Sequence, residues 1–220
     1  MKSTMEDVME NENEFLFLGG RPSLDLVNTL RGRNDHVLGK RDLVTTVAEL
    51  QDWIAAADKQ TEWFTLELPE SSPTQGELSD AVALREAVHA LAVEENGQDV
   101  QDPLDVINQL ALAQPTPALA RIDEGGEGDG EDSRGSRFTV TGGNGPTTVA
   151  QLVGFVAADA VNLFATVEGA RIKECAQPRC GMVFVDSSRG NRRRWCSMAT
   201  CGNRAKVKRF DDRARAAAQE

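Results

Sequence analysis

Four cysteines are the residues of this chain best suited to chemistry, and all of them fall in its last 46 residues: Cys175, Cys180, Cys196 and Cys201. Their spacing is C-x4-C, fifteen residues, then C-x4-C again. A short C-x-C segment delivers two ligands from one turn of chain, and two such segments fill a tetrahedral shell of thiolates. The four-residue gaps stand at the upper end of the usual range. In a reducing compartment this pattern points to metal ligands. Free buried thiols, a disulfide pair and an iron–sulfur cluster are competing readings, and clustering with spacing favours Zn2+. Four thiolates close the shell and leave no position for water or substrate, so the expected site is structural. The two histidines, His36 and His89, lie far upstream. A finger that cuts DNA needs a histidine base and further ligands beside it, and neither is present. Both histidines are expected at a helix surface or in a core.

The elements that must hold these thiols follow from the intervening residues. Met182–Asp186 is apolar and β-prone, "SSRGN" is rich in turn formers, and Arg192–Trp195 is expected to return as the second strand of a hairpin. Ser197 is a candidate N-cap for a helix over 199–218 that carries Cys201 in its first turns. Knuckle, hairpin, and a helix with the last ligand make the layout of a treble-clef zinc finger.

Charge is divided along the chain. The formal net charge is −11, yet residues 171–220 hold thirteen Lys/Arg against five Asp/Glu. A basic tail on an acidic body suggests different partners for the two parts, and repels polyanions everywhere except at the tail. On the expected helix, Arg204 and Lys208 are spaced i, i+4, while Lys206, Arg209 and Arg213 follow i, i+3, i+7. The hairpin loop adds Arg189, Arg192, Arg193 and Arg194. This density suits phosphate contacts with double-stranded DNA, and Asn203 and Arg204 are candidates for reading base edges from the major groove. Docking of the basic tail on the acidic body is the alternative, as is a finger that grips protein or RNA. One finger helix covers only about three base pairs, so a homodimer or help from other proteins is expected.

The body reads as α+β. "FLFLGG" (15–20) is expected to be a strand stopped by two glycines, and "RPSLDLVNTL" a helix with Leu24, Val27 and Leu30 on one face. Asp25, Asn28 and Thr29 lie on a neighbouring face and are candidates either for a polar ligand or for backbone ties. Further helices are expected over 43–58, 77–95, 102–114 and 147–166, the last with Ala150, Gly154, Ala157 and Ala158 available for close packing. Arg85, among apolar neighbours, should pair with a carboxylate such as Asp25 or bind an anionic ligand. Residues 123–136 are almost wholly Gly, Asp, Glu and Ser and read as a mobile loop; 136–143 alternates like a strand. No Pro/Gly-rich linker precedes the finger, so body and finger are expected to be held rigidly, and ligand binding to tilt the finger. No nucleophile elbow, P-loop, G-x-G-x-x-G or HExxH occurs, so no enzyme is expected; catalysis in the body by Asp25, Glu86 or His89 is the weaker alternative. No apolar run is long enough to span a bilayer, and the polar, acidic N-terminus lacks a signal-peptide core; a cytoplasmic location away from membranes is expected.

"RRRWCSMATCGNRAKVKRF" (192–210) contains Cys201-Gly202-Asn203-Arg204 and resembles the CGNR zinc finger. "FLFLGGRPSLDLVNTL", "LQDWIAAAD", "LREAVHALAVEEN" and "INQLALAQPTPAL" resemble the ABATE domain that precedes this finger. The resemblance runs in the right order over nearly the whole chain. It implies a bacterial, stress-related transcription regulator: an α+β domain over 15–170 for an unidentified small ligand, and a DNA-binding treble clef over 171–220 whose zinc ligands map onto the four cysteines. The first 14 residues and the acidic segment 124–136 look like additions to the pattern.

Overall fold

The computed structural model describes residues 14–63, 71–94, 98–116, 118–121, 138–141 and 146–217. The acidic loop expected over 123–136 lies outside the described residues, as do the first 13 residues of the expected tail and the ends of the strand expected over 136–143. The fold is α+β: helices form the body, and among the described residues three two-stranded antiparallel sheets join them.

In chain order the elements are α1 (Pro22–Val27), β1 (Leu30–Arg31), β2 (Arg41–Asp42), α2 (Val47–Gln60), α3 (Gln75–Ala92), α4 (Gln101–Ala111), β3 (Ala118–Arg121), β4 (Phe138–Thr141) and α5 (Val149–Phe164). After a 3-10 turn at Gly169–Arg171 come β5 (Ile172–Glu174), β6 (Val183–Val185), a π-turn at Met198–Gly202 and α6 (Asn203–Ala217). Sheet pairs are β1–β2, β3–β4 and β5–β6.

Local chemistry sets several boundaries. α2 starts at Val47 because Thr46 closes a capping box: its side chain accepts from the Glu49 N–H, and the Glu49 carboxylate accepts from Thr45 and Thr46 N–H at 2.8 and 2.9 Å. Leu43 and Val44 are buried just ahead of it. Thr74 and Glu77 cap α3 in the same way, and Thr148 caps α5. α1 ends at Val27, before the expected Leu30, because the chain turns there into β1.

The body core lies where α1, α3, α4 and α5 cross, with Leu50, Trp53 and Ile54 of α2 closing it. Gly154 permits the α4–α5 approach: a Cβ there would stand 2.6 Å from the Ala113 carbonyl carbon. Ala157 and Ala158 are buried, while Ala150 is exposed and its N–H meets Glu77 Oε1 at 2.9 Å.

Residues 15–18 do not form the expected strand. Their alternation is nonetheless used: Phe15 and Phe17 pack against the body core, Leu16 and Leu18 against the cysteine cluster. The segment is an extended wedge between two cores. Its continuation is joined by the Val185 N–H donating to Gly19 C=O at 2.9 Å, one bond where a ladder was expected. β6 divides in the same manner, with Val183 and Val185 in the body core and Phe184, fully buried, in the cysteine cluster.

Candidate metal centre and nucleic-acid interface

Cys175 follows β5, Cys180 ends a tight knuckle, Cys196 follows the returning loop, and Cys201 sits in the π-turn that opens α6. The four Sγ atoms lie within 4.8 Å of one another. Cys180 and Cys196 are 3.7 Å apart, and Cys196 and Cys201 are 3.5 Å apart. A disulfide needs about 2.05 Å, so no pair is bonded. Tetrahedral Zn2+ with bonds of about 2.3 Å sets its sulfurs about 3.8 Å apart, close to the spacing found. Four thiolates this close would repel one another, so holding all four charged requires a cation among them. The Cys196 N–H points at Cys175 Sγ (3.4 Å), and Cys175 N–H donates to Met182 C=O at 2.8 Å. Residues, geometry and donor chemistry all fit a closed metal centre. Among the described residues no other group of ligands gathers in this way.

The expected hairpin is corrected. β6 pairs with β5, in register Ile172↔Val185 and Glu174↔Val183, and Arg192–Trp195 is not a strand. That segment is instead held by side chains. Buried Asp186 accepts from Lys173 Nζ at 2.6 Å, Arg193 N–H at 2.7 Å and Ser188 N–H at 2.9 Å. Burial alone would raise this carboxyl; those three donors hold it well below the usual range. Arg193 turns inward, its guanidinium 4.1 Å over the Phe184 ring and donating to the carbonyls of Leu18, Trp195 and Cys196 at 3.2, 3.0 and 2.5 Å. Arg193 is therefore a staple of the finger, and its loss would report on folding before any partner. Nothing in the residue types distinguished it from Arg192 and Arg194. Asp186 and Phe184 escaped notice for the same reason: each acts through contacts that only the closed loop creates.

α6 begins at Asn203, four residues later than expected, because the π-turn Met198–Gly202 that carries Cys201 precedes it. Ser197 Oγ accepts from Thr200 N–H at 3.4 Å, and Gly202 is buried beside Met198 and Trp195. Asn203 Nδ2 donates to Ala199 C=O at 3.0 Å, which gives that side chain a part in the turn. Arg204, Lys206, Lys208, Arg209 and Arg213 are exposed, as are Arg189, Arg192 and Arg194 in the loop. Arg194 stacks 5.0 Å from the Trp195 ring and shares a concave surface with Lys208 and Arg209.

Family models match this chain over that centre and over the body that precedes it. Residues 20–167 match the ABATE family, described as "putative stress-induced transcription regulator", and residues 171–214 match the CGNR zinc finger. The chain belongs to the ABATE family and carries a CGNR zinc finger. No curated protein matches it. No described helix is long and apolar enough to cross a membrane.

The structure places the four ABATE-domain candidates in one buried region but occupies them with protein partners. Asn28 bonds both backbone groups of Val183, donating to its C=O at 2.9 Å and accepting from its N–H at 3.0 Å. Thr29 Oγ1 donates to Leu26 C=O at 2.7 Å. Arg85 pairs bidentately with Asp42 at 2.6 and 2.7 Å, not with Asp25, because β1–β2 pairing brings Asp42 to α3. Asp25 accepts from Gly19 N–H at 2.7 Å, and its Oδ2 is buried without a hydrogen-bond partner. Burial pushes its carboxyl up to about 7. His36 is exposed, and His89 is half-buried on α3, where burial and Arg33 lower it to about 4.

Loop 32–40 clasps the knuckle of the CGNR finger. Asp35 binds Arg179 at 2.7 Å, a contact that lowers its carboxyl to about 2. Asn34 binds Glu174, and Gly181, at φ +69°, leaves room for Arg33, whose Cβ would stand 2.7 Å from any side chain there. Arg33 in turn forks onto Glu86 at 2.7 and 3.0 Å.

Proposed function

We propose that this protein regulates transcription by binding double-stranded DNA through its CGNR finger. Cys175, Cys180, Cys196 and Cys201 hold a structural Zn2+, and the ABATE domain acts as a non-catalytic sensor of a small ligand. The observation that carries the reading is the placement of charge. Among the described residues, nine exposed Arg and Lys side chains stand on the loop and helix that the four cysteines clamp, on a chain that is otherwise strongly acidic. Fixed cations of this kind suit phosphate contacts, while the acidic body discourages contact elsewhere. The finger docks on the body through Arg179 and Glu174 on its knuckle side and through β6, and these contacts leave α6 exposed.

The sensor half rests on a short path. Asp25 holds the Gly19 N–H, Gly19 C=O receives the Val185 N–H, and Asn28 holds Val183, so events at α1 are transmitted to β6 of the finger. The test is selection of duplex sites by the purified, metal-analysed protein, with and without small molecules from cell extract. The expected result is zinc near one equivalent and duplex affinity that falls steeply between 50 and 200 mM salt. A zinc-loaded protein that retains no duplex at low salt would sink the reading.

A further inference from the structure

Two concave surfaces flank one ridge on the outer side of the finger. The ridge is Arg194 stacked on Trp195 at 5.0 Å. On one side lies a basin of about 500 Å³ with Ser187, Ser188 and Arg192. On the other, about 220 Å³ lie between the knuckle at Gln177–Pro178 and α6, lined by Lys208 and Arg209, with Asp212 at the edge. Arg194 and Trp195 border both. Guanidinium, ammonium and hydroxyl groups in a concave seat are the donors that take phosphate oxygens. Lys206 and Arg213, which lie beside Arg209 on the i, i+3, i+7 strip of α6, border neither basin.

We infer that the two basins are phosphate seats for one bound duplex, with Arg194 lying between them. The finger therefore meets DNA with its loop and knuckle side and not with the Lys206–Arg213 side of α6. This inference rests on the DNA reading above and selects, among nine candidate residues, Arg192, Arg194, Lys208 and Arg209 as contacts. Arg193 is excluded because its guanidinium is bound to carbonyls of the finger. Stacking on Trp195 fixes the Arg194 plane before binding, so less side-chain freedom is lost when a phosphate arrives.

The experiment compares Arg194→Ala and the double change Lys208→Ala with Arg209→Ala against the double change Lys206→Ala with Arg213→Ala. Each purified protein is first checked for wild-type zinc content, which separates a lost contact from a lost fold. Duplex affinity is then measured over a salt series. Each phosphate contact contributes about 0.9 to the slope of log affinity on log salt. The basin variants should lose about one unit of slope per contact, roughly tenfold in affinity at 0.1 M salt, with the same loss on every sequence. The Lys206/Arg213 variant should keep the wild-type slope. Duplex should also quench a fluorescence component that Trp195→Phe removes. If the Lys206/Arg213 variant carries the loss and the basin variants bind like wild type, the inference is overturned while DNA binding stands. If the wild-type protein itself does not bind duplex, both fall together.

Discussion

Asp25 is a carboxyl placed where its charge costs free energy. It is 2% exposed, one oxygen accepts from Gly19 and the other has no partner. Burial lifts its pKa from 3.8 to about 7. The native state thus holds a proton that the unfolded chain releases near pH 4, and stability from this group declines as pH rises from about 4 to about 7, then levels off. The shift corresponds to a few kcal/mol, on the order of 1.4 per unit. Asp25→Asn keeps an acceptor for Gly19 without the charge. Urea unfolding of both proteins across this range should show the variant gaining on the parent as pH rises; parallel curves would refute the assignment. The residue types at 25, 28, 29 and 85 announced a polar cluster in the sequence. Whether they served ligand or backbone was not readable there: Thr29 bonds its near neighbour Leu26, but Val183 and Asp42, the partners of Asn28 and Arg85, are chosen by tertiary contact.

At the scale of elements, β6 is the strand on which the molecule turns. Three residues long, it sends Val183 and Val185 to one core and Phe184 to the other, pairs with β5, and is sealed along its other edge by Asn28 and Gly19. A side-chain amide that matches both backbone groups of one residue stands in for a missing strand. Asn28→Ala leaves a buried N–H and a buried C=O at Val183 without partners, a loss of roughly 2–4 kcal/mol. The midpoint of urea unfolding should fall while its slope stays unchanged; a loss of unfolding free energy below about 0.5 kcal/mol would mean that water replaces the amide. The helices were legible because apolar periodicity is local; their starts were not, since the capping boxes Thr46 with Glu49 and Thr74 with Glu77 set them at 47 and 75 where 43 and 77 were expected. The strands were legible in part: β6 falls inside the apolar run at 182–186 and β4 inside 136–143, but their pairing was not. "FLFL" has the alternation of a strand yet gains only a wedge between two cores, and Arg192–Trp195 is held by Asp186 and Arg193 where a ladder was expected.

Across the whole molecule, the ABATE domain and the CGNR finger are joined by shared structure. Loop 32–40 grips the knuckle through Asp35–Arg179, Leu16 and Leu18 pack on the cysteines, and β6 serves both cores. Structural zinc contributes on the order of 10 kcal/mol to folding of a finger. Removing the metal with a chelator should therefore lower the melting temperature of the body together with the finger, in one calorimetric transition. Two separated transitions, with the upper one unmoved, would show that the halves fold independently. The sequence by itself determined the metal-ligating set, the division of charge, the helices and the family, because thiol spacing, net charge and periodicity are properties of neighbouring residues. Only the tertiary structure decided that Arg193 faces inward while Arg194 faces out, that Arg85 meets Asp42, and that the finger's strand belongs to both cores. Those outcomes depend on groups far apart in the chain competing for the same few buried partners, and no local pattern records who wins.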